Sequence, residues 1–214
     1  FVFGFAGRIS ADKGCTELLT AFKNISQENK NAKLLVVGPL EYDCGIPQEF
    51  IGWASNSKNV ILTGNIENEE MKKYYSAMDV LVHPTYREGF GMVIQEAGAL
   101  AVSVITTRIP GASEVMVDNE SCLLVEPKNA DELECAMKAL LQNPKKTKEL
   151  GVCAYNRTKA LYDRPIMLEN QRKEYTRLLK ESKDFTKLVL SDKNITNYNY
   201  PEETDVKTIT YKNL

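Results

Sequence analysis

Short apolar runs, each halted by glycine or proline and each followed by a segment with helical spacing, restrict this chain to a small set of folds. The runs fall at 2–6, 33–37, 59–63, 79–83, 102–106 and 122–125. Their length and their Val, Leu and Ile content suit strands buried on both faces. Segments near 14–29, 67–78, 91–99, 130–141, 145–160 and 166–182 read as helices, the first through Leu18, Leu19, Ala21 and Phe22, the second with Tyr74 and Tyr75 inward. A short helix carrying Glu114, Val115 and Met116 is expected after Ile109-Pro110-Gly111, whereas 46–56, with Trp53, is poorly periodic. Strands alternating with crossovers of this length predict an α/β fold, a Rossmann-like parallel sheet with helices on both faces. Such sheets bind ligands at the carboxyl ends of their strands.

Two of those ends carry chemistry. Asp79-Val80-Leu81-Val82-His83-Pro84 runs into Tyr86-Arg87-Glu88-Gly89-Phe90-Gly91, and Glu96 follows on the next helix. Gly89 and Gly91 let the backbone approach a ligand, and the Phe90 N–H and the helix start near Met92 offer donors to an anion such as phosphate. Glu96, little more than a turn inside that helix, can accept both hydroxyls of a vicinal diol such as ribose, and Glu88 can do the same for a sugar. At the other end Gly7-Arg8-Ile9-Ser10-Ala11-Asp12-Lys13-Gly14 places Arg8 and Lys13 on one strand-to-helix connection. An arginine fork and a lysine charge suit a diphosphate that gains charge as it departs.

Each residue also has a plainer reading: Glu88 as an acid balancing a helix dipole, Glu96 as a solvated helix acid, Arg8 and Lys13 as surface cations. Tyr86 and Arg87 read equally well as packing. His83, the only histidine, reads as hydrogen-bonded structure. Glu114 belongs to a helix start whose loop can approach a sugar.

Composition narrows the classes. At 214 residues and 43% hydrophobic content the chain can bury a substantial core, while its longest apolar runs are strand-sized. No membrane span or cleavable leader is expected, which points to the cytoplasm. The five cysteines are odd in number and lack Cys-x-x-Cys spacing, so no disulfide framework or zinc site is expected. A net charge of −2 with mixed signs gives no reason to expect a nucleic-acid partner. No Gly-x-Gly-x-x-Gly follows a strand, which removes the dinucleotide oxidoreductases. Residues 183–214, rich in Lys, Asn, Thr and Asp, read as a polar extension to a domain spanning 1–182.

Taken in order, Gly7-Arg8-Ile9, Lys13-Gly14, Val36-Val37-Gly38, Leu62-Thr63-Gly64 and Glu88-Gly89-Phe90-Gly91 with Glu96-Ala97 resemble the C-terminal half of retaining glycosyltransferases of the GT-B fold. Glycosyltransferase family 4 is the closest group, and within it the bacterial enzymes of capsular and other surface polysaccharides. Departures occur at Ala101, where glycine is usual, and His83, where an aliphatic residue is common. The resemblance implies that Arg8 and Lys13 hold the donor diphosphate, that Glu88 contacts the donor sugar, that Glu96 binds the ribose and that the base rests near Ile66. It implies no metal or other cofactor, a nucleotide-sugar donor, usually a UDP-sugar, and a lipid-linked saccharide acceptor held by an N-terminal domain outside this chain. The full-length enzyme would then work at the inner face of the membrane. A non-catalytic nucleotide-sugar module and a sugar-nucleotide epimerase of similar fold are the alternatives.

Overall fold

The computed structural model describes residues 1–41 and 43–191, with side-chain surroundings through residue 182. β1 (Val2–Ala6), α1 (Cys15–Glu28), β2 (Lys33–Val37), α2 (Gln48–Asn56), β3 (Val60–Leu62), α3 (Met71–Ser76), β4 (Val80–His83), α4 (Met92–Gly98), β5 (Ser103–Thr107), β6 (Leu123–Val125), α5 (Ala130–Gln142), α6 (Pro144–Tyr162) and α7 (Arg164–Ser191) follow one another. The strands form one parallel sheet in the order β3-β2-β1-β4-β5-β6. This is the expected Rossmann-like architecture.

Period-2 alternation divides each strand between two cores. Phe3, Phe5, Leu34, Val36, Val80 and Val82 pack with Leu18, Phe22 and Ile25 of α1 and with Leu133 and Met137 of α5. Ala6, Leu35, Val37, Leu81 and Val104 face the opposite core, with Tyr75, Ile94, Ala97 and Met116. Both faces of the sheet are therefore dry, which explains the nearly unbroken apolar runs.

Three stretches differ from expectation. Residues 48–56 form α2, whose Phe50, Ile51 and Trp53 are only half-buried against the first core. So shallow a contact leaves little helical periodicity to read. No helix forms around Glu114: the segment is a series of turns, in which Arg157 Nε donates to Val115 O at 2.7 Å and its Nη2 to Glu114 O at 3.3 Å. The guanidinium takes carbonyls that a helix would have used. Ala112, Val115 and Met116 are still buried there. The third is α7, which continues through Ser191.

The chain divides into a compact unit over Phe1–Ile166 and a second unit beginning at Met167. Exposed pairs such as Arg172–Glu169 and Arg177–Glu174 line the second unit's helix three residues apart. Residues 192–214, most of the expected polar extension, lie outside the described residues. Among those described, no helix is long and apolar enough to cross a membrane.

Strand order reverses beside β1. The chain leaves β1 for β2 on one side, whereas β4 pairs with β1 on the other, so a crevice opens between the two loops that follow β1 and β4. Gly14, at φ +69°, lies against the second of these loops, and a Cβ there would run into the Pro84 carbonyl oxygen. Replacing Gly14 by alanine is therefore expected to cost about 3 kcal/mol from left-handed strain and the clash together. Urea unfolding of the chain checks this, and a midpoint equal to wild type would show that the junction relaxes freely.

Candidate active site

The two loops are joined by backbone before any side chain enters. Tyr86 N–H donates to Asp12 O at 2.9 Å. From β5, Thr106 Oγ1 donates to His83 O at 3.0 Å and Thr107 Oγ1 to Thr85 O at 2.6 Å, fixing the end of β4 from its other side. Tyr86 OH donates to Glu17 at 2.6 Å, tying the second loop to α1.

Glu88 projects into this junction and meets four donors. Its Oε2 lies 3.3 Å from Lys13 Nζ and 3.0 Å from His83 Nε2. Its Oε1 accepts the N–H groups of Gly89 at 3.1 Å and Gly91 at 3.3 Å. The hydrogen bond from His83 and the nearby Lys13 charge outweigh partial burial and hold this carboxyl well below the usual carboxylate range. His83 is 1% exposed. Burial pushes its pKa down, against the opposing pull of Glu88, so the imidazole is neutral. An ionised carboxylate only accepts, which puts the His83 proton on Nε2 and leaves Nδ1 as a buried acceptor with no partner.

The other predicted residues surround this cluster. Gly7 anchors the end of β1 through N–H donation to Val37 O at 2.9 Å. Arg8, on the exposed side of the same loop, pairs with Glu41 and lies 3.9 Å from Asp12. Gly91, at φ +62°, begins α4, whose first turn has no side-chain cap. Gln95 Nε2 donates to Phe90 O at 2.8 Å, and the Phe90 ring, 45% exposed, meets Tyr162 edge-on at 5.8 Å. Glu96 stands apart from Glu88: its Oε2 accepts from Tyr75 OH at 2.7 Å. Tyr75 and Glu96 line an open cavity of about 290 Å³ with Asn68, Met71, Lys72 and Leu100. Ile66 is half-buried against the second core, two positions before Asn68. A separate, smaller hollow of about 100 Å³, almost wholly apolar, lies beneath Leu40 and Gly64 against Cys15 and Leu18 and holds none of the charged residues.

Lys13, Glu88, Gly89 and Gly91 are thus brought into one contact set. Arg8 adjoins it through the β1 loop but faces Glu41, and Glu96 opens onto a neighbouring cavity. Sequence reasoning missed the parts played by Tyr75 and Glu41, and although it read His83 as hydrogen-bonded structure it did not name Glu88 as the partner. His83 left a signal, a lone histidine at a strand end five residues before an acid. Tyr75 left only its inward helical position.

Residues 1–157 match the family model described as glycosyl transferases group 1. The chain belongs to the glycosyl transferases group 1 family. It is 35% identical over 182 residues to the capsular polysaccharide biosynthesis glycosyltransferase CapM of Staphylococcus aureus, an alignment covering 85% of this chain and 47% of CapM. The chain spans less than half the length of curated relatives it matches. Among solved structures it is similar to the C-terminal domain of the group 1 protein LpcC from Francisella tularensis, with a TM-score of 0.71 and 26% identity over 77% of this chain and 87% of that one. It also shares its fold with Anabaena HepE in complex with UDP and glucose, at a TM-score of 0.70 and 22% identity over 82% of this chain and 47% of HepE.

As the only histidine in this group 1 chain, His83 gives stability a distinct pH signature. Its unfolded pKa is near 6.5 and its folded value lower, so as pH falls below about 6.5 the unfolded chain binds a proton the folded chain refuses and stability drops. Glu88 acts lower: with its folded pKa depressed, its stabilisation is complete above about pH 4.5 and is lost as pH falls further. Urea midpoints taken between pH 8 and pH 4 are expected to decline through the first window in wild type and to flatten there in His83→Gln. Equal slopes in both proteins would assign that decline to another group.

Proposed function

We propose that this chain is the donor-binding half of a retaining, metal-independent glycosyltransferase of family 4 that takes its sugar from a nucleoside diphosphate, in capsular or related surface-polysaccharide synthesis. The observation that carries the reading is the convergence of the Lys13 ammonium with the Gly89 and Gly91 N–H groups on one carboxylate. A cation and two fixed amides form a cradle for negative oxygen, here filled by Glu88.

In the reaction, the bond between the anomeric carbon and the diphosphate breaks, its electron pair leaving on phosphate oxygen, while an acceptor hydroxyl bonds that carbon from the same face and passes its proton to the departing phosphate oxygen. Lys13 and the loop amides stabilise the departing charge and Arg8, once turned from Glu41, adds a second cation. Glu88, moved from the cradle, orients the sugar, and Glu96 receives the ribose diol beside Ile66. HepE, solved with UDP and with UDP-glucose, supports a UDP-sugar donor, and the resemblance to surface-polysaccharide enzymes carries the proposal of a lipid-linked saccharide acceptor, held by the part of the longer relatives that this chain does not span. Work at the cytoplasmic face of the membrane follows from such an acceptor.

Calorimetric titration of the chain with UDP, GDP and UDP-sugars, with and without magnesium, tests the proposal. UDP binding indifferent to magnesium is expected, weakened about tenfold in Lys13→Ala. Because Glu88 competes for the cradle, Glu88→Gln is expected to bind UDP about threefold more tightly than wild type. Failure of every nucleotide to bind would sink the donor reading, and unchanged or weaker binding by Glu88→Gln would show that the carboxylate does not compete.

A further inference from the structure

Tyr75 is 2% exposed, packed in the second core beside Met78, Leu81, Ile94 and Ala97. Its hydroxyl alone reaches polar surroundings, where it donates to Glu96 Oε2 at 2.7 Å. Burial first, and then this hydrogen bond, pushes the phenol well above its ordinary pKa, so it stays a donor at any physiological pH. Glu96 Oε1 has no partner of its own among the described residues. The two side chains share the wall of the open cavity of about 290 Å³.

A ring locked in the core cannot follow a mobile carboxylate. The phenol therefore pins one oxygen of Glu96 and fixes the plane of the group, leaving Oε1 and the second lone pair of Oε2 as open acceptors on a residue that lines the cavity. Two adjacent hydroxyls, each donating once, fill that acceptor pair, whereas a nucleoside lacking them leaves it empty. Resting on the nucleotide-sugar reading above, we infer that Tyr75 is a positioning residue that orients Glu96 for the ribose diol and makes this site select nucleotides that carry the vicinal diol over dideoxynucleotides that lack it.

Tyr75→Phe removes the hydroxyl and keeps the packed ring, and a circular dichroism melt verifies that the fold is retained. Calorimetry then compares UDP with 2′,3′-dideoxy-UDP on the wild-type chain, Tyr75→Phe, Glu96→Gln and the double variant. The phenylalanine variant is expected to bind UDP about tenfold more weakly and dideoxy-UDP within about twofold of wild type, with the double variant no weaker than Glu96→Gln alone. An equal loss for both nucleotides marks a merely structural tyrosine and overturns the inference, as does an unchanged affinity for UDP. A wild-type chain that binds neither nucleotide overturns the nucleotide-sugar reading and this inference with it, whereas a wild-type chain that binds both equally well overturns diol selection alone.

Discussion

The carbonyl oxygen of Asp12 accepts the Tyr86 N–H across the crevice between β1 and β4, and Gly14 lies against Pro84 in the same seam. Parallel strands bring the two loops to one edge of the sheet, but only to within the reach of long side chains. This seam sets the loops at hydrogen-bonding distance, so that Lys13, seventy-five residues away in sequence, meets Glu88. Left-handed backbone at Gly14 and at Gly91 lets each chain turn into its helix at the crevice without placing a Cβ in it. Thr106 and Thr107 extend the same fixation to β5 through buried side-chain bonds. The site thus inherits its rigidity from the sheet rather than from its own charged groups.

Within that frame Glu88 is a half-buried carboxylate whose desolvation is opposed by four donors. An acid so fully bonded is well placed as a stand-in for an incoming anion and poorly placed to serve as a base. Lys13 holds one oxygen through charge, the loop amides hold the other through geometry, and His83 adds a neutral N–H. The buried imidazole cannot turn to water and its Nδ1 already lacks a partner, so removing Glu88 would leave both ring nitrogens unsatisfied. Arg8 is the contrasting case. Exposed and paired with Glu41 on a neighbouring loop, it has a surface ion pair that little free energy resists breaking.

The architecture was legible because both faces of the sheet are buried: β1, β2, β4 and β5 announce themselves as apolar runs, and the glycines at their ends mark the crevice. Lys13 and Glu88 could be named from the loops that carry them. What stayed hidden followed from contacts rather than periodicity. α2 is too shallowly packed to pattern its sequence, and the turns at 112–116 imitate a helix because Ala112, Val115 and Met116 are buried while Arg157, far along the chain, takes the carbonyls. His83 read rightly as hydrogen-bonded structure, but its partner Glu88 lies in a loop whose path no local rule fixes. The orientation of Arg8 toward Glu41 depended on the course of the β2–α2 loop, which has no periodic signature at all.

The two glutamates on which the site turns differ in how much of their acceptor capacity is already used. Glu88 has both oxygens engaged, and every donor that holds it would suit a phosphate oxygen as well. Glu96 has one oxygen engaged, by a phenol that is immobile in the core. Both residues carry the same functional group eight positions apart, yet their shells ask different things of a ligand. The first must be displaced before its donors can act, so its occupant must bring negative charge strong enough to replace a carboxylate. The second is already oriented and lacks only donors, so its occupant must bring hydroxyls. In the proposed function a nucleoside diphosphate would supply both groups from one molecule, one to the loop before α4 and the other to Glu96 in its second turn. The division of labour arises from the neighbours of each acid, since a lysine and loop amides surround the one and a buried tyrosine holds the other.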